Sequence, residues 1–139
     1  MLQTAIVWPM IVQTALVCAI YLVASKRRAD AVRNGVAKDQ DFRVPTVEPE
    51  PSATAIRNIA NQFELPVLFY AVCILLLVTN GVNTFTLLCA WLFVASRIFH
   101  AAVHVTSNRL RLRRPAFVVG FVANFLLWAA LALHLLQVN

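Results

Sequence analysis

The sequence predicts an all-α membrane protein, a single domain over 1–139 built as a bundle of four transmembrane helices. Three observations predict it. Of 139 residues, 60% are hydrophobic and only 13% charged, against about 45–50% and about 25% in an average soluble domain. Four stretches each bring about 20 apolar residues, the length that crosses a hydrocarbon core. The basic residues crowd into two of the gaps between those stretches. This balance excludes intrinsic disorder, which needs low hydrophobicity and high charge. Three glycines and three cysteines exclude collagen and a disulfide scaffold. The net charge of +6 does not point to nucleic acid, because eleven of the twelve basic residues sit in two short segments.

The first span runs from about Thr4 to Ala24, carries no charge, and stops at Lys26, Arg27 and Arg28. No basic region precedes it and no small-residue cleavage site follows, so it reads as a span and not as a signal peptide. Pro9 falls in its first turns, where a missing donor costs least. The second span covers about 59–78 and holds one acid, Glu64. The third covers about 82–105 and holds Arg97, His100 and His104. The fourth covers about 116–136, with Pro115 suited to its first position.

Loop charges set the expected topology. The first loop, 25–57, holds seven Lys/Arg, and the third, 106–115, holds Arg109, Arg111, Arg113 and Arg114. The turn at 79–81 and both termini hold none. Basic loops favour the cytoplasmic side, which puts both termini on the non-cytoplasmic side. Residues 44–51 (VPTVEPEP) read as a turn or extended link. Ser52 or Thr54 is then expected to cap a second helix longer than its span.

An ionisable group inside a span costs about 2.5–3.5 kcal/mol on insertion scales and usually marks a site or a buried pair. Arg57, Asn61 and Glu64 share one face of helix two, at i, i+4 and i+7. Arg97, His100, His104, Asn108 and Arg111 form a stripe on helix three if that helix runs past Thr106. Glu64 and Arg97 fall at similar depth, about 10 Å below the rim, and invite a pair. Polar glue between helices averages about 0.6 kcal/mol and is weak compensation for burying charge. An aligned cationic stripe with a single acid therefore reads as a site for an anionic ligand. Arginine suits carboxylates, and Glu64 suits an ammonium. His100 and His104 at i, i+4 lack a third ligand, so no metal is expected. Cys18, Cys73 and Cys89 read as small apolar residues within spans.

Arg57-xxx-Asn61-xx-Glu64 followed by Pro66, with Arg97-xx-His100-xxx-His104-xxxxxx-Arg111 and four spans, resembles the MAPEG family. These are membrane-associated proteins in eicosanoid and glutathione metabolism, and the likeness is to a bacterial-type member. The resemblance covers essentially the whole chain. It implies a homotrimer of four-helix subunits in the bilayer, and in a bacterium the inner membrane. It implies glutathione as co-substrate, held in a cleft between subunits by Arg57, Asn61 and Glu64. Arg97, His100, His104 and, from the end of helix one, Arg28 or its neighbour Arg27 are the further candidate contacts. It gives Arg111 the catalytic role of stabilising the glutathione thiolate. Catalytic members carry tyrosines where this chain has His100 and His104.

Two functions follow. The first is a glutathione transferase or peroxidase acting on a small hydrophobic electrophile from the bilayer. The alternative is a non-catalytic trimeric membrane protein that binds a lipid or thiol metabolite. A transporter is disfavoured, because internal repeats and interrupted spans are not evident.

Overall fold

A computed structural model describes residues 2–43 and 48–138, with the side chain of Val138 left aside. The described residues form six α-helices and one short 3-10 turn, and no strand. The helices are α1 (Leu2–Ala5), α2 (Val7–Arg33), α3 (Glu50–Gln62), α4 (Leu65–Val78), α5 (Thr84–Val105) and α6 (Leu110–Val138). Taken as α1 with α2, α3 with α4, α5, and α6, they make four helical rods long and apolar enough to cross a membrane. The four-helix membrane bundle expected from composition is therefore what the chain forms.

Prolines punctuate these rods. A proline ring collides with the carbonyl four residues back. For Pro9 that is Ala5, and α1 ends at Ala5. For Pro66 it is Gln62, the last residue of α3. Phe63 and Glu64 lie between α3 and α4, and Pro66 enters α4 in its first turn. The second span is thus a broken helix and not the continuous one expected over 59–78. Pro115 corrects a further expectation. It lies inside α6, which starts five residues earlier at Leu110, so it costs a hydrogen bond to the carbonyl of Arg111.

The first basic loop is also shorter than expected. Helix α2 carries Lys26, Arg27 and Arg28 on a helical extension to Arg33. Helix α3 opens at Glu50, behind Pro49, so Ser52 and Thr54 lie within it and do not cap it. The Ser52 hydroxyl instead donates to Glu48 Oε1 at 2.6 Å. Of the link expected over 44–51, residues 44–47 lie outside the described residues.

An apolar core fills the half of the bundle near the 79–83 turn. Phe69, Val72 and Leu76 of α4 meet Cys89, Phe93 and Val94 of α5 and Ala123, Leu127 and Leu131 of α6. The Phe69 and Phe93 rings stack at 4.2 Å and 11°. Helices α5 and α6 make the most extensive contact. Gly120 permits it, because a Cβ there would come within 2.6 Å of Ser96 Oγ. The half near the basic loops is filled by polar side chains, and the candidate site is built there.

Candidate functional site

Helix α3 is fixed by hydrogen bonds from three directions. Gln13 Nε2 on α2 donates to Gln62 Oε1 at 2.9 Å, and Gln62 Nε2 passes on to Asn58 Oδ1 at 2.9 Å. Asn58 Nδ2 then donates to the Ala101 carbonyl of α5 at 3.1 Å. All three amides are buried. Arg27 Nη1 donates to Thr54 Oγ1 at 2.9 Å, and Arg27 Nη2 donates to the Val105 carbonyl at the end of α5. The network satisfies groups that would otherwise be orphaned in a water-poor interior. It leaves the adjacent face of α3, with Arg57 and Asn61, lining a cavity shared with α5 and α6.

Arg97 of α5 does not pair with Glu64. Its side chain is fully buried, and Nη2 donates to the main-chain carbonyl of Asn61 at 2.8 Å. The expected Glu64–Arg97 pair is absent because the break turns Glu64 outward, where its side chain is exposed. Among the described residues the only ion pair joins Arg28 to Glu48.

The stripe expected on helix three is interrupted as well. Helix α5 ends at Val105. Asn108 adopts a left-handed conformation, φ +48°, and its N–H closes on the Val103 carbonyl at 2.7 Å. Asparagine tolerates that region better than most residues, and the turn stops the helix there. Arg111 therefore lies in the first turn of α6, exposed. Two residues on, Arg113 points back, and its Nη1 donates to Asn108 Oδ1 at 2.7 Å.

Two cavities adjoin at this place. The larger, of about 580 Å³, is lined by Thr54, Arg57, Asn61, His104, Asn108 and Arg113 among others. No carboxylate lines it. The smaller, of about 340 Å³, is lined by Asn61, His100, Arg113, Arg114, Phe117 and Val118. Asn61 and Arg113 line both. Asn61 Nδ2 lies 3.4 Å from His104 Nδ1. The buried rings of His100 and His104 stand edge-on, 5.7 Å apart, and the His100 ring lies 6.0 Å from Phe117. Both chambers are cationic; the larger is richer in amides, and the smaller adds an apolar wall of Phe117 and Val118.

Of the residues singled out in the sequence, the structure brings Arg57, Asn61, His104 and Asn108 to the larger chamber and Asn61 and His100 to the smaller. Arg97 lies buried behind Asn61. Glu64 and Arg111 line neither chamber. Arg28 grips Glu48 through two hydrogen bonds, of 2.9 and 2.6 Å, with its guanidinium over the Phe42 ring. That grip holds the Glu48 carboxyl below the usual carboxylate range. Gln13, Asn58 and Gln62 are neutral amides, with no charge to mark them in an apolar sequence. Their signal was the i, i+4 spacing of Asn58 and Gln62 beside Asn61. Among the described residues, no cluster of three or more His, Cys, Asp or Glu is placed to hold a metal.

The model of the MAPEG family matches residues 5–133. This chain belongs to the MAPEG family. No curated protein matches it, and no solved structure does. As a MAPEG protein it is a multi-pass membrane protein of a family tied to glutathione and eicosanoid metabolism. Four membrane-length rods and a polar site near the basic loops fit that membership.

Proposed function

We propose that this MAPEG protein binds glutathione in the larger chamber and delivers its thiolate to a hydrophobic electrophile that reaches the smaller one from the bilayer. The carrying observation is the pair of adjoining chambers, each lined by two arginines, with Arg113 common to both and an apolar wall of Phe117 and Val118 in the smaller. Glutathione brings two carboxylates, an ammonium and a thiol. Arg57 suits a carboxylate through a bidentate pair. Asn61 and Asn108 have amide groups able to donate and accept along the peptide. A thiol has an ordinary pKa of about 8.5, and a nearby cation lowers it. Arg113 occupies the boundary where such a cation is needed, so it takes the role that the sequence pattern gave to Arg111.

In the transfer reaction the sulfur forms a bond to an electrophilic carbon, and the leaving group departs with its electron pair. In the peroxidase reaction the sulfur takes the terminal oxygen of a hydroperoxide and the lipid leaves as its alcohol. A second glutathione then gives the disulfide and water.

The ammonium needs an acid, and Glu64 is exposed at the break. A carboxylate facing lipid is expensive. A homotrimer that covers Glu64 with a neighbouring subunit removes that cost and brings Glu64 to the rim of a shared cleft. Stopped-flow absorbance of the thiolate on mixing with glutathione tests the reading. The wild type and Arg111→Ala are expected to form thiolate, while Arg113→Ala forms about a tenth as much or less, the loss of one charged contact. Loss in Arg111→Ala with retention in Arg113→Ala returns the role to Arg111. No thiolate in any form, with glutathione still bound, favours the non-catalytic binding protein.

A further inference from the structure

The least expected group in the site is Arg97. It is fully buried, its Nη2 holds the Asn61 carbonyl, and its Nε and Nη1 have no hydrogen-bond partner among the described residues. A buried cation is costly, and Glu64 acts on it only from a distance, without an ion pair, so what it holds matters. The last carbonyls of a helix have no partner within that helix. In a continuous helix the N–H of Leu65 would reach the Asn61 carbonyl, but the chain breaks at Phe63 and Glu64. Arg97 supplies a replacement donor from a neighbouring rod. The residue it fixes is the one α3 residue whose side chain lines both chambers.

We propose that Arg97 is a positioning residue that acts on the ligand through Asn61. It pins the Asn61 main chain at the helix break and thereby aims the Asn61 amide at His104 and the chambers. Two features of arginine suit the task. Its long planar fork reaches across from α5 with fixed geometry, and its charge makes the hydrogen bond stronger than a neutral one. Arg97 lines neither chamber, so direct ligand contact, as the sequence pattern suggested, is not needed for its effect.

Part of the test rests on the glutathione reading and part does not. In detergent-purified full-length protein, hydrogen exchange compares the wild type with Arg97→Gln. The amides of residues 63–65 are expected to exchange about tenfold faster, the loss of one charged hydrogen bond, with α6 unchanged. An unchanged rate at 63–65, or a rise spread over the whole chain, overturns the pin. In parallel, glutathione affinity is measured for Arg97→Gln, Asn61→Ala and the double variant. Each single variant is expected to bind about tenfold more weakly. The double variant is expected to bind no more weakly than Asn61→Ala, because Arg97 acts through Asn61. Additive losses overturn the coupling. A wild type that does not bind glutathione sinks the functional reading and leaves the exchange result to decide on Arg97. Should Arg97→Gln fail to fold, Arg97→Lys, which keeps the charge without the fork, takes its place in both measurements.

Discussion

At the scale of single residues, arginines of one chemical type do four different jobs, set by where the backbone puts them. Arg27 ties α2 to Thr54 of α3 and to the end of α5. Arg28 holds the basic connection through Glu48. Arg97 mends a broken helix, and Arg113 faces both chambers. The sequence showed that these cations cluster at one end of the bundle, because clustering is a matter of spacing. It did not show which one lines both chambers. That depended on Asn108, whose left-handed turn ends α5 and moves Arg111 onto α6. A one-residue turn conformation leaves little trace in a hydropathy pattern.

The Arg28–Glu48 link carries a pH prediction. The folded-state pKa of Glu48 is depressed, so the link is fully present above the ordinary carboxylate pKa of about 4.3 and is lost as pH falls below it. Protection of residues 48–52 against hydrogen exchange, relative to the free-chain rate at each pH, is expected to fall as pH drops below the ordinary carboxylate range. Glu48→Gln is expected to show the lower protection already at neutral pH. Protection in Glu48→Gln equal to the wild type would show that the link does not hold the connection.

At the scale of the helices, close packing and proline breaks decide the geometry. Gly120 lets α6 approach Ser96 of α5, on the same α5 face that carries Arg97 and His100 further along. Gly120→Ala forces its Cβ against Ser96 Oγ and is expected to cost about 1–3 kcal/mol, the usual penalty of overpacking. Thermal unfolding in detergent measures it. Adding Ser96→Ala should recover part of the loss, since the two sites touch. No recovery would place the strain elsewhere. The four rods were legible in the sequence because each supplies a long apolar run. The break in the second was not read, although Pro66 was in plain view. A proline within a hydrophobic run leaves its mean hydropathy high, and only the lost donor at that position marks the fracture.

At the scale of the whole molecule, the polar half of the bundle leaves charged side chains on its surface. Arg57 and Glu64 are exposed, yet both belong to the motif that carries the resemblance to a glutathione-binding family. Neighbouring copies that cover them would bury both and close the chamber. Native mass spectrometry from detergent is expected to give a trimer, and glutathione is expected to strengthen it, because a ligand shared between subunits binds the assembly more tightly than the separate chains. A monomer that binds glutathione with full affinity would contradict the shared cleft.

Isothermal titration of the purified wild type with glutathione, beside Arg57→Ala, tests the central claim most directly. The account predicts saturable binding to the wild type and binding about tenfold or more weaker in Arg57→Ala, because a bidentate carboxylate contact is lost. No binding to the folded wild type, or equal binding in Arg57→Ala, would contradict a glutathione site in the larger chamber.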